Sequence, residues 1–196
     1  MRADERPVFP LSAVLLPGGR MDLRIFERRY LDMIGECGRS NCGFIVALIV
    51  EGRDSGEPAI PARIGCEALI EDFWTLPDGL LGIRARGGRR ARIEEVRSRD
   101  NGLLIGRIDW LAEPAAEVLP PEFGLLSTLV RRIADRSESD LAGTDARNFD
   151  DSAWVAWALA NELPLAPGER QRILQEDEPR QRLELLLTWL PRFATD

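Results

Sequence analysis

The sequence predicts an α+β protein in two parts: an antiparallel β-barrel with one early helix over residues 1–113, then a C-terminal helical subdomain over residues 114–196. Three observations carry that prediction. Apolar residues recur with a period of two through most of the first part and with a period near 3.6 after residue 117. Gly, Pro, Asn and Asp clusters punctuate the first part at short intervals, as turns between short strands do. Glu113-Pro114-Ala115-Ala116-Glu117 separates the two regimes with the composition of a linker.

Taken in order, Pro7-Val8-Phe9-Pro10-Leu11 is extended, because each proline steers the residue before it away from helix. Leu16-Pro17-Gly18-Gly19 breaks the chain, and residues 21–26 alternate as a strand. Tyr30, Leu31, Ile34 and Cys37 then fall at helical spacing, with Gly38 as the stop. Residues 42–50 form an apolar run of strand length, buried on both faces. Residues 51–62 hold Gly, Pro, Ser and charges and read as a surface loop. A long strand or bent pair over 64–75 runs into Leu76-Pro77-Asp78-Gly79, a tight turn with glycine where positive φ is needed. Residues 81–86 and 90–93 alternate on either side of Gly87-Gly88-Arg89, which reads as a hairpin loop. Asp100-Asn101-Gly102 is a second hairpin signal ahead of a strand over 103–111.

In the second part, Pro120 and Pro121 open a helix whose stripe is Phe123, Leu126, Leu129, Val130 and Ile133. Residues 137–146 are polar and read as a loop. Asp150 or Asp151 caps a helix carrying Trp154 and Trp157, which are three apart and read as a packing face. Leu163-Pro164-Leu165-Ala166-Pro167 ends it, and two further helices follow over 168–176 and 179–190.

Composition restricts function more sharply than any motif. The chain has 196 residues, of which 44% are apolar and 30% charged, with a net charge of −7. It contains no His, and every one of its 26 basic residues is Arg. Without His, neither a Ser-His-Asp nor a Cys-His nucleophile can be assembled. Without Lys there is no P-loop amine for phosphates, no Ser-Lys dyad and no Schiff base. Arginine does not substitute as a base, since it stays protonated. No catalytic residue, cofactor or metal site is therefore expected. Cys37, Cys42 and Cys66 lack a second pair or a His to complete a zinc site. The acidic balance opposes DNA, RNA and anionic membrane surfaces. Acids near the N-terminus and the absence of a spanning apolar run point to the cytoplasm.

Several of these stretches together resemble a known family. Pro7-Val8-Phe9-Pro10-Leu11, Leu16-Pro17-Gly18 and Leu23-Arg24-Ile25-Phe26-Glu27-Arg28-Arg29-Tyr30 are similar to the opening of the N-terminal, substrate-binding domain of Lon protease. Ile64-Gly65 to Leu69-Ile70, Leu76-Pro77-Asp78-Gly79, Gly87 to Ile93 and the tail from Leu163 to Leu187 continue the likeness in order. The resemblance implies a PUA-like barrel (the fold of pseudouridine synthase and archaeosine transglycosylase) with a helical subdomain. It also implies a role in engaging client polypeptides or a protein partner, without the ATPase and peptidase regions.

Two candidate sites follow. If Gly87-Gly88-Arg89 is a loop, Arg84, Arg86, Arg90 and Arg92 share one strand face, fit to hold carboxylates or phosphates through paired hydrogen bonds. That face is either a partner site, an RNA-binding surface of the barrel, or a solvated face balanced by nearby acids such as Glu94, Glu95 or Asp109. Phe73 and Trp74, just before a turn, are candidate aromatic anchors for extended apolar segments. A symmetric contact over such a groove would instead make a homodimer. The acidic pairs Glu71-Asp72 and Asp150-Asp151 and the run Glu176-Asp177-Glu178 read as caps and solvated charge.

Overall fold

The computed structural model describes residues 5–52, 59–136 and 141–193. The chain divides into two compact units, one ending at Ala112 and one beginning at Glu113.

The first unit holds β1 (Glu5–Leu11), β2 (Arg20–Ile25), α1 (Arg28–Ser40), β3 (Phe44–Glu51), β4 (Ile60–Pro61), β5 (Ile64–Thr75), β6 (Leu81–Ser98) and β7 (Leu104–Trp110). Antiparallel ladders join β1 to β7, β7 to β6, β6 to β5 and β5 to β3. A parallel ladder from Val8↔Ile45 to Leu11↔Leu48 joins β3 back to β1 and closes a ring of five strands. The antiparallel expectation therefore needs one correction, at that seam. Parallel neighbours require a long crossover, and β2 with α1 supplies it between β1 and β3.

Val8, Ile45, Ala47, Ala91, Ile93, Leu104 and Ile108 fill one buried cluster, with Trp110 packed against it. Phe9 points the other way and stacks on Tyr30 of α1 with ring centroids 3.9 Å apart, while Phe44 lies 6.0 Å from Phe9. Both faces of β1 and of the first half of β3 are thus covered, which is why residues 44–47 run apolar without alternation. Helix α1 passes Gly38 and ends at Asn41, whose φ of 46° is left-handed. Asparagine tolerates that conformation, so it takes the stop expected of glycine. The expected loop over 51–62 contains the two-residue β4, and residues 53–58 lie outside the described ones.

The second unit begins with a 3-10 turn, Pro121–Phe123, that runs into α2 (Gly124–Ala134). Then come α3 (Ser152–Glu162), α4 (Pro167–Gln175) and α5 (Pro179–Trp189). Helix α3 is buried along Val155–Ala160, and α2 and α5 both pack on it. Its N-terminus is capped by Asp151, which accepts from the Trp154 amide at 2.8 Å. Asp150 instead takes an ion pair from Arg131 at 3.1 Å. Before α5 it is Glu176, rather than Asp177, whose carboxylate accepts from the following amides. A 3-10 turn, Ala146–Asp150, begins at the last residue of the polar stretch over 137–146, and residues 137–140 lie outside the described ones.

Arg182 is completely buried in this unit. It donates to the carbonyls of Glu176 and Asp177, pairs with Glu113 at 3.0 Å, and lies 4.0 Å from the centre of the Trp157 ring. One guanidinium thus ties the α4–α5 connection, the start of the unit and α3 together. Trp154 meets Phe149 edge-on at 5.1 Å.

Candidate functional site

The 18 residues of β6 form one uninterrupted strand, so the expected hairpin at Gly87-Gly88-Arg89 does not exist. The glycines serve another purpose. A Cβ on Gly87 would collide with the carbonyl of Leu16, and the Gly87 backbone exchanges 2.8 Å hydrogen bonds with Gly18 and Gly19. Close backbone approach, not reversal of the chain, demands glycine there. A bulge accompanies it: from Cys66↔Arg90 to Ala68↔Gly87, β6 advances three residues while β5 advances two.

The bulge interrupts the side-chain alternation locally, leaving Arg90 and Ala91 both buried in succession. Arg84 and Arg86 face solvent, whereas Arg90 is 1% exposed. Arg92 returns to the surface opposite Asp109 of β7, well along the strand from Arg84. The four arginines therefore do not form a single face.

Before the bulge, β6 lies between β2 and β5, so that the three strands extend the ring. Its rows read Asp22–Arg84–Asp72, Leu23–Ile83–Phe73 and Arg24–Gly82–Trp74. Trp74 thus shares a face with Asp22, Arg24 and Arg84. Phe73, 72% exposed, belongs to the opposite face and cannot act beside it.

The Trp74 indole rests on bare backbone: a Cβ on Gly82 would stand 2.5 Å from the ring. Around it opens a cleft of about 380 Å³ lined by Asp22, Leu23, Arg24, Trp74, Leu76, Pro77 and Asp78. The β5–β6 turn forms its floor at one end, fixed by Gly79 at φ 83° and by hydrogen bonds from Gly79 to Leu76 and from Leu76 to Leu80.

The charges around this cleft are balanced. Arg84 grips Asp22 with two hydrogen bonds of 2.7 and 2.8 Å, which hold the Asp22 carboxyl below its ordinary range. Arg24 pairs with Asp78. Glu71 accepts from Arg20 at 2.8 Å and lies 3.6 Å from Arg86. The Arg84 guanidinium also sits 5.9 Å from the Trp74 ring centre. Of the acids expected to balance the four arginines, Asp109 stands opposite Arg92, whereas Arg84 and Arg86 are balanced by Asp22 and Glu71. The alternation of residues 21–26 and the Pro77-Asp78 turn were the available signals, but only strand register joins them to Arg84.

Elsewhere in the first unit, two guanidiniums approach the Trp110 ring, Arg89 at 3.9 Å and Arg6 at 5.5 Å from its centre. Burial, and then the neighbouring Cys42 thiol, push the Cys37 thiol up to about 12. Among the described residues no three His, Cys, Asp or Glu side chains gather where they could hold a metal ion. Among the same residues no helix is long and apolar enough to cross a membrane.

Comparison with known proteins places this geometry. Residues 5–192 match the family model of the ATP-dependent protease La (LON) substrate-binding domain. A solved Lon N-terminal domain protein from Xanthomonas campestris is 44% identical, with a TM-score of 0.79 over 94% of this chain and 98% of its own. The N-terminal domain of Lon protease from the Mycobacterium avium complex, 19% identical, shares the fold at a TM-score of 0.67 over 95% of this chain and 98% of its own. Lon protease from Brevibacillus choshinensis is 28% identical over 65% of this chain, but the match spans only 17% of that protease. A LON peptidase N-terminal domain and RING finger protein of Schizosaccharomyces pombe is 29% identical, with 92% of this chain and 44% of that protein covered. The likeness is therefore to one domain of larger proteins, and the regions matched are not the protease or ATPase domains. With a family model spanning nearly every residue and a solved relative of the same extent, the chain belongs to the Lon substrate-binding domain family.

Proposed function

We propose that the chain is a non-catalytic module that holds exposed segments of other polypeptides, with Trp74 as the anchor. The observation that carries this reading is the contrast within the cleft: a large aromatic ring, half-buried on a glycine floor, lines the cleft, while the surrounding guanidiniums are already neutralised. A cleft so balanced offers little to phosphates and much to apolar side chains. The absence of His and Lys agrees, since the usual acyl-transfer and nucleotide chemistries have no residues to run on.

Polypeptide is favoured over RNA as the partner, because Arg90 is buried and Arg84 and Arg86 face carboxylates rather than standing with Arg92 as one open cationic surface. Salt-dependent affinity requires free cations to displace counterions.

The test is a titration of reduced, carboxamidomethylated α-lactalbumin against native α-lactalbumin, with and without ATP. The unfolded form is expected to bind, the native form not, and ATP to change nothing. Trp74→Ala should weaken binding about thirtyfold, the loss typical of a central aromatic anchor. Equal binding of both forms, or full binding by Trp74→Ala, would refute the proposal.

A further inference from the structure

We infer that Cys42 and Cys37 join in a disulfide when the protein meets a hydroperoxide, so that the junction between α1 and β3 is a site of reversible oxidative modification. Cys42 takes the first oxidation and Cys37 resolves it. The modification is independent of the polypeptide-holding role.

Backbone hydrogen bonds fix the path between the two residues. Asn41 closes α1 in the left-handed conformation, and its N–H turns back to the Cys37 carbonyl. The Cys42 N–H donates to the same carbonyl at 3.2 Å. With the bond lengths on either side added, the two Cα atoms lie within about 7 Å of each other even along a straight path, and closer along a bent one. That is the separation a disulfide spans. Cys37 belongs to the buried face of α1 with Tyr30 and Met33, and is 1% exposed. Cys42 is half-buried, so a small oxidant reaches it first. The two thiols also act on one another. Burial, and then the Cys42 thiol, push Cys37 up to about 12, so Cys37 keeps its proton near neutral pH and waits as the second thiol. Cys66, by contrast, is fully enclosed, with its thiol directed to the Glu67 and Gly88 carbonyls at 3.5 and 3.7 Å.

The chemistry balances with hydrogen peroxide as the oxidant. The Cys42 thiolate attacks one peroxide oxygen, the O–O bond breaks, and Cys42 becomes a sulfenic acid while the other oxygen leaves as water with the thiol proton. The Cys37 sulfur then attacks the Cys42 sulfur. The S–O bond breaks, and the hydroxide leaves as water with the Cys37 proton. Two thiols and one peroxide thus give one disulfide and two waters. The product is a cross-link within residues 37–42, where the crossover between β1 and β3 leaves the helix.

Treatment of the folded chain with hydrogen peroxide, followed by tryptic digestion without reductant, tests this. Arg39 lies between the two cysteines, so trypsin frees residues 30–39 and 40–53 as separate peptides unless a disulfide joins them. The joined pair is expected, lighter by two hydrogens than the sum of its parts, and dithiothreitol should separate it. In Cys37→Ala the link should vanish, and dimedone, which traps sulfenic acids, should label Cys42 about fivefold more than in the unaltered chain. Cys42→Ser, changed at a half-buried position, should also lose the link, and Cys66→Ala should keep it. Cys42 left unmodified, Cys42 driven to sulfinic acid beside a free Cys37, a link to Cys66, or a dimer joined through Cys42 would each overturn the inference. So would unchanged dimedone labelling in Cys37→Ala.

Discussion

The two halves of β6 carry nearly the same alternation of Arg with small or apolar residues and use it in opposite ways. Before Gly87 the arginines stand outside, cross-linked to carboxylates on β2 and β5. After Gly88 the first arginine in phase, Arg90, is enclosed within the first unit. The same residue type is thus a surface ion-pair member in one half and a buried structural member in the other. The difference is local to the bulge, which turns Arg90 inward; beyond it Ala91 and Ile93 are buried and Arg92 is exposed, the phase already set by Ile83, Ala85 and Arg84.

The contrast can be broken from its strong end first. Arg90→Ala should cost about 3 kcal/mol, as loss of a large enclosed side chain does. Arg86→Ala should change stability by less than about 0.5 kcal/mol. Urea midpoints of the two variants compare them directly, and similar values would erase the distinction between the halves. Next comes the bulge itself. Gly87→Ala meets backbone at Leu16 and should cost about 2 kcal/mol, while Gly88→Ala meets the flexible ends of Glu67 and Leu69 and should cost under about 1 kcal/mol.

Smaller effects sharpen the outer half. Gly82→Ala pushes against the Trp74 ring and should weaken binding of unfolded α-lactalbumin several-fold with little change in melting temperature. A double-mutant cycle on Arg84 and Asp22 should return a coupling of about 0.5 kcal/mol, the scale of an exposed two-point pair. Because the folded-state value of Asp22 lies below its ordinary 3.8, that coupling is present above about pH 4 and is lost as the pH falls through this range. Cys37 acts in the opposite direction. With the thiol raised from 9.0 to about 12 in the fold, stability should decline as pH rises above about 9. Cys37→Ala should flatten that alkaline limb in denaturant titrations.

Most of the architecture was legible because it is written in local chemistry. Turns at Asp78-Gly79 and Asn101-Gly102, the cap at Asp151 and the change of period after residue 117 each depend on neighbours within a few positions. What escaped depends on partners far along the chain. Gly87-Gly88 carries the signature of a turn, and only the approach of Leu16, some seventy positions earlier, makes it a strand. The parallel seam between β1 and β3 leaves no mark on either strand, since both are apolar on two faces whatever the direction of pairing. For the candidate site, Trp74 was legible from its place beside a turn. Its partners Asp22 and Arg24 were not, because register, rather than spacing, brings β2 beside it.

The placement of β1 carries a consequence for how the first unit assembles. The earliest strand forms two seams of the ring, one with β3 and one with β7, whose last residue is Trp110. During synthesis the ring stays unclosed until that residue has left the ribosome, and loop closure over such a span is slow. Removing residues 5–11 would leave β3 and β7 each with a raw border, converting a sealed ring into a sheet prone to stick to itself.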